Sequence, residues 1–259
     1  MQGTRQMRMK DRLDTYALWD ALKADSECPL CALRRKTERQ LIERSLGGSV
    51  MSPDDRQRVN AAGYCQHHHR QLFAQKNRLG HALLTLSRLQ TLIPQADQAL
   101  QDLKRENRHK GPRFFRRGST ETISKNGLTA LTARCVLCQE LETQSAWQTE
   151  TFLYLWEKDP EFRAVFSASK GLCLPDTARV MGLWGKLPAT HRQSLLETLR
   201  SGLMKSLARL EQELSWYTQK FDYRNQDAPW GESKDALERT VNKLRGWCLG
   251  PEPLNDDAR

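Results

Sequence analysis

The chain of 259 residues contains none of the short motifs by which many hydrolases and nucleotide-binding enzymes are recognised. It has no G-x-S-x-G, no H-E-x-x-H and no glycine-rich phosphate loop. No stretch approaches the roughly eighteen consecutive apolar residues of a membrane-spanning helix. The first residues, MQGTRQMRMKDRLD, are basic but lack the apolar segment of a signal peptide. A cytoplasmic protein is therefore expected. Hydrophobic residues are only 38% of the chain and charged residues reach 28%. That balance favours amphipathic helices with wide solvated faces over a deep, all-apolar core.

What is present is helical punctuation. Leu13, Ala17, Leu18, Ala21 and Leu22 fall on one helical stripe. Ser52-Pro53-Asp54-Asp55 has a capping hydroxyl, a first-turn proline and acidic groups where a helix starts. Residues 78–93 carry apolar groups at helical spacing up to Pro94, and 95–108 read as a polar continuation. Residues 190–219 form the longest amphipathic candidate, with Leu195, Leu199, Leu203, Leu207, Leu210 and Leu214 on one face. No segment alternates as a strand would, so an all-α fold is expected.

Seven cysteines stand out against this background. In a chain without secretory features, C-x-x-C spacing reads as metal binding or thiol chemistry rather than a disulfide framework. Cys28 and Cys31 form one such pair, and Cys65-x-x-His68 follows. Cys135 and Cys138 form a second pair, followed by Cys173-x-x-Asp176. The offsets form a repeat: Cys135 lies 107 residues after Cys28, Pro160 lies 107 after Pro53, and Cys173 lies 108 after Cys65. The chain thus reads as two duplicated helical units, residues 1–103 and 128–259, joined by a linker at 104–127.

Zinc takes four ligands in a tetrahedron, and thiolates with an imidazole suit it. Within each repeat, Cys28, Cys31, Cys65 and His68 make one candidate site. Cys135, Cys138, Cys173 and Asp176 make a second. The repeat register selects His68 over His67 and His69, because Asp176 follows Cys173 by the same step. Asp176 leaves three readings of its site: a Cys₃Asp centre, a degenerate half kept for packing, or an exchangeable site with function. His191 is a further ligand that folding could bring in. One or two zinc ions are expected, with an iron–sulfur cluster as the alternative. Redox C-x-x-C motifs usually accompany a βαβ pattern, which is lacking here. Cys248 has no partner.

Charge is uneven. Residues 1–127 hold 24 Lys+Arg against 13 Asp+Glu, a balance of +11, whereas residues 128–259 hold 17 against 18, a balance of −1. The densest basic stretch contains Lys104, Arg105, Arg108, Lys110, Arg113, Arg116 and Arg117, with Phe114 and Phe115 inside. A basic linker with aromatics could contact nucleic acid through phosphates and stacking. A basic face could equally meet an acidic protein surface. The segment FDYRNQDAPWG (221–231) is rich in turn formers and reads as an irregular loop pinned by aromatic side chains.

These motifs together resemble an uncharacterised bacterial family, a domain of unknown function. The resemblance rests on Cys28-Pro29-Leu30-Cys31, Gly63-Tyr64-Cys65-x-x-His68, Asn77-Arg78-Leu79-Gly80, Cys135-x-x-Cys138, Gly171-Leu172-Cys173-x-Pro175 and Lys220-Phe221-Asp222-Tyr223-Arg224…Trp230-Gly231-x-Ser233-Lys234-Asp235-Ala236-Leu237. It covers nearly the whole chain. It implies no activity, and the chain departs from it at Asp176, where the pattern has histidine. No catalytic residue is identified. The leading expectation is a zinc-stabilised scaffold or adaptor whose basic first half faces an acidic partner. The alternatives are a metal- or cluster-dependent enzyme or redox protein centred on Asp176, and nucleic-acid binding through the basic stretch.

Overall fold

A computed structural model describes residues 15–108 and 121–250. Among the described residues the fold is all-α, with no strand. Helix α1 covers residues 15–23. It is followed by α2 (Pro29–Leu46), α3 (Pro53–Ala62), α4 (Gln66–Ala74), α5 (Arg78–Arg108) and α6 (Glu121–Thr132). The remainder are α7 (Val136–Lys158), α8 (Pro160–Ala168), α9 (Leu174–Leu183), α10 (Ala189–Gln219) and α11 (Ala236–Arg245).

Two compact units are present, and they are not the ones expected from sequence order. One is made of residues 1–36 with 144–259, and the other of residues 37–143. The division into 1–103 and 128–259 follows the sequence repeat, whereas these units are grouped by long-range contacts. Of the expected linker at 104–127, residues 109–120 lie outside the described residues. Helix α5 passes through Pro94 and ends at Arg108, so Lys104, Arg105 and Arg108 belong to a helix. Glu121–Thr132 is helical as well. Lys110, Arg113, Arg116 and Arg117 lie outside the described residues.

In the discontinuous unit, Leu18, Leu22, Leu30, Leu33, Phe152, Trp156, Phe162, Phe166, Val180, Leu195 and Leu199 share one core. Phe152 meets Phe162 and Phe166 edge-on, with ring centroids 5.4 and 4.9 Å apart. Cys28, Cys31 and Cys173 belong to this core, so the thiols are packed among aliphatic and aromatic groups. Helix α8 starts where Asp159 accepts from the N–H groups of Glu161 and Phe162 at 2.9 and 3.1 Å. The chain then turns at Gly171, whose φ of +76° leads to Cys173 at the start of α9.

The continuous unit repeats this local plan. Ser52 Oγ accepts from the Asp55 N–H at the start of α3. Gly63 turns with φ +67°, and Cys65 stands at the start of α4. Leu41, Ile42, Leu46, Val59, Leu72, Leu84 and Leu137 form the core. The Asn77-Arg78-Leu79-Gly80 motif has a physical cause. Asn77 Oδ1 accepts from the Gly80 N–H at 2.8 Å while Asn77 Nδ2 donates to the Leu46 carbonyl at 2.6 Å. A Cβ on Gly80 would come within 2.7 Å of that Nδ2, so a larger residue would break the cap.

The core of the discontinuous unit also buries charge. Glu27, 1% exposed, accepts from Arg209 Nη2 at 2.7 and 2.8 Å. Arg239 Nη1 bonds Glu213 at 2.5 Å. Lys243, fully buried on α11, donates to the carbonyls of Glu27 and Lys170 at 2.8 and 2.6 Å. Burial pushes its ammonium below the usual lysine range. The 221–231 segment is irregular, as expected, but its anchor is Lys220 as well as aromatics. Lys220 Nζ donates to the carbonyls of Asn225, Gln226 and Ala228 at 2.5–2.7 Å and lies 5.4 Å from the Trp230 ring centre.

Replacing Lys243 by Met should therefore take the Lys243 donor from the buried Glu27 carbonyl, leave the Lys170 carbonyl to Ser206 Oγ, and remove a cation near the Glu27 carboxylate. We expect a loss of about 3 kcal/mol of unfolding free energy by chemical denaturation. A loss below about 1 kcal/mol would show that the network is dispensable.

Candidate metal centres

The ligands gather crosswise. Cys65 and His68 meet Cys135 and Cys138, whereas Cys28 and Cys31 meet Cys173 and Asp176. The pairing expected within each repeat is thereby corrected. Each C-x-x-C opens a helix and faces a Cys-x-x-His or Cys-x-x-Asp helix start from a distant part of the chain. Each group of four nevertheless lies inside a single compact unit. Helix starts explain the local geometry. Residue i at the helix N-terminus and residue i+3 fall on one side of the first turn, so both side chains point at one spot.

In the continuous unit, His68 Nδ1 lies 3.2 Å from Cys65 Sγ and 3.3 Å from the sulfurs of Cys135 and Cys138. Cys65 Sγ and Cys138 Sγ are 3.7 Å apart. The far edge of the ring faces Glu38, with Nε2 3.3 Å from Oε1. Glu38 Oε1 also lies 3.0 Å from His67 Nε2. A carboxylate near Nε2 favours a proton on that nitrogen, which leaves Nδ1 to face a metal. Burial would raise the Glu38 carboxyl, but contact with His68 and His67 outweighs it and holds the group at about 2. Without metal, burial opposes a charge on His68, yet the surrounding thiols and Glu38 carry it up to about 10. Cys135 is drawn down to about 6, its burial being outweighed by His68.

In the discontinuous unit the fourth ligand is Asp176, fully buried. Its Oδ2 stands 3.3 Å from each of the Cys28, Cys31 and Cys173 sulfurs. Its Oδ1 accepts from Arg34 Nη2 at 2.5 Å. Arg34 Nε in turn donates to Ser145 Oγ at 3.1 Å. One carboxylate oxygen is thus committed to the thiols and the other to a guanidinium. Burial disfavours the charge on Asp176, but Arg34 prevails and holds the carboxyl below its ordinary range. Without metal the Cys28 thiol is pushed up, first by burial. Cys31 and Cys173 are raised by proton sharing within the cluster and by burial. Trp247 N–H points at Cys31 Sγ from 3.4 Å, which brings the residues after α11 onto the cluster.

The spacing suits a single small ion. Four ligands around one zinc, with Zn–S near 2.3 Å, place sulfurs about 3.8 Å from each other. The observed sulfur pairs, 3.5 and 3.7 Å apart, are close to that figure. The donor set of three thiols with an imidazole or a carboxylate is one that binds zinc. The other histidines are placed elsewhere. His69 Nδ1 meets His81 Nε2 at 2.9 Å, and the His191 carbonyl accepts from Trp156 Nε1. Among the described residues, His191 joins neither centre. Sequence reasoning missed Arg34 and Glu38. On a helix following a C-x-x-C, charged residues look solvated, and only the fold shows that each faces a ligand.

A model of a family of unknown function, DUF6062, matches residues 9–250. The chain belongs to the DUF6062 family. Within the curated proteins, this DUF6062 member is similar to an uncharacterised 23.9 kDa protein encoded in the xynA 3′ region of Caldicellulosiruptor sp. (strain Rt8B.4). The two are 22% identical over 228 residues, which is 88% of this chain and 94% of the relative. No solved structure matches.

Two measurements check the roles of these groups. Glu38→Gln should weaken zinc binding at the His68 cluster by about 10- to 100-fold in chelator competition, as expected when a ligand's supporting carboxylate is lost. In the metal-free protein, Glu38 has a folded value of about 2 against an ordinary 4.5. Its contribution to stability is complete above the ordinary value and is lost as pH falls toward the folded one. Denaturant unfolding should show a larger gap between wild type and Glu38→Gln at pH 6 than at pH 3.

Proposed function

We propose that this protein is a zinc-stabilised helical scaffold or adaptor of the cytoplasm, not an enzyme, built from a duplicated half whose metal ligands pair crosswise. The observation that carries this reading is convergence: each cluster offers four ligand atoms within 4.8 Å of one another. Four protein ligands complete a tetrahedron and leave no position for a substrate, which is the pattern of structural rather than catalytic zinc. An iron–sulfur cluster fits less well. Its irons and sulfides would have to stand between thiols that are only 3.5–3.7 Å apart. Chemistry centred on Asp176 is also less well supported, since the carboxylate is fully buried and held by Arg34.

The adaptor part of the reading is supported by α5. Leu79, Leu86, Ile93 and Leu100 recur every seventh residue, each more than half exposed, with Leu89 between them. Such a row fits the apolar seam of another helix. With the basic balance of residues 1–127, we assign it to a helical partner with acidic flanks.

Elemental analysis of the purified protein should give two zinc per chain with no visible absorption band. His68→Ala and Asp176→Ala should each keep one zinc. A visible cluster band, or fewer than two zinc per chain, would overturn the metal reading. A synthetic amphipathic helix with heptad leucines and flanking glutamates should bind the protein. Leu86→Glu with Ile93→Glu should weaken that binding at least tenfold; unchanged binding would remove α5 from the adaptor role.

A further inference from the structure

The two clusters differ in one respect that their ligand chemistry does not require. In the discontinuous unit every ligand is buried, with Cys28, Cys31, Cys173 and Asp176 between 0% and 3% exposed. In the continuous unit Cys138 is exposed and Cys65 is partly so, while Cys135 and His68 are buried. A zinc-bound thiolate remains a nucleophile, and its oxidation depends on whether an oxidant can reach the sulfur. The enclosed thiols of the first cluster are shielded by core side chains. Cys138 is not.

We propose that the Cys65–His68–Cys135–Cys138 centre is a peroxide-sensitive zinc site, with Cys138 as the attacked sulfur and Cys65 as the resolving one, whereas the Cys28–Cys31–Cys173–Asp176 centre keeps its metal. The inference rests on the zinc reading above. The Cys138 thiolate attacks one oxygen of hydrogen peroxide and the O–O bond breaks. This gives a sulfenic acid on Cys138 and a hydroxide that leaves to solvent. The Cys65 thiolate then attacks the Cys138 sulfur, the S–O bond breaks and a second hydroxide leaves. Two thiolates are oxidised to one disulfide, and one peroxide is reduced to the oxidation level of water. Zinc loses two of its four ligands and dissociates.

Geometry selects Cys65 as the partner. Its sulfur lies 3.7 Å from that of Cys138, so the pair closes by less than about 2 Å to reach a disulfide bond length of about 2.05 Å. Cys138 is an exposed residue and Cys65 a partly exposed one, so this pair lies at the solvent edge of its unit. Cys135 is the less accessible alternative, at 5% exposure within the core of its unit.

The test uses the full chain carrying Cys248→Ser, because Cys248 is the remaining exposed thiol and its side chain lies outside both clusters. Zinc content is measured first. A value below two per chain counts against the zinc reading itself and is seen before any oxidant is added. The two-zinc protein is then mixed with hydrogen peroxide and a chromogenic chelator, and the modified cysteines are mapped by differential alkylation and mass spectrometry. We expect one zinc to leave at least tenfold faster than the other, together with a Cys65–Cys138 disulfide and intact Cys28, Cys31 and Cys173. Zinc binding restored by a thiol reductant and added zinc supports a reversible site. Equal release of both ions, or earlier oxidation of Cys28, Cys31 or Cys173, overturns the inference. A Cys135–Cys138 disulfide overturns the assignment of Cys65. Retention of both ions in a large excess of peroxide overturns it as well.

Discussion

Each compact unit depends on four side chains that converge on one point from two helix starts. In the discontinuous unit the partners lie 142 to 148 residues apart along the chain. In the continuous unit Cys135 and Cys138 lie 67 and 70 residues from His68. Closing loops of that length costs conformational entropy, although the cost grows only slowly with length. A bound ion that joins both ends offsets it in a single step, because metal binding free energy is folding free energy wherever the site is absent from the unfolded chain. This suits a chain with only 38% hydrophobic residues. Its cores are modest, and thiols take up part of them.

The environments of the two clusters follow from the charge of their fourth ligand. Histidine is neutral when it binds metal, and behind His68 stands an anion, Glu38, whose Oε1 lies 3.3 Å from Nε2. Aspartate brings one more negative charge. Its supporting group is accordingly a cation, Arg34, and a second buried cation, Lys243, lies close by. Lys243 holds the carbonyl of Glu27, the residue just before Cys28. Trp247, four residues further along, donates its N–H to Cys31. The end of the chain, which looked like a separate signature, is thus part of the wall around the first C-x-x-C.

Much of this was legible in the sequence, and the limits have physical causes. Helix starts at Ser52-Pro53 and Asp159-Pro160 follow from local chemistry, and the structure shows both caps. Cys65 and Cys173 as helix starts follow from the glycines before them, since Gly63 and Gly171 both need positive φ. Pairing is different. A repeat tells which positions correspond, but it does not tell whether corresponding elements join within a half or across halves. Both solutions satisfy the same spacings, and the tertiary fold decides between them. Pro94 misled for a related reason. Proline removes one helical hydrogen bond, yet a 31-residue helix continues on either side of it when neighbouring elements hold it in place. Arg34 and Glu38 were invisible because an ion-paired charge and a solvated charge have the same letter.

The asymmetry at Asp176 takes on a different meaning in this light. Read from sequence, the aspartate looks like the weakened member of a pair, and hence the place for exchange or chemistry. In the fold it is the better-protected one. Its carboxylate is buried and bonded on both oxygens, and its thiols are shielded. The centre with the more usual Cys₃His ligands is the one that meets solvent, through Cys138. Ligand identity sets how strongly a metal is held at equilibrium, whereas exposure sets how fast a reagent arrives. A site can be stronger by the first measure and more vulnerable by the second.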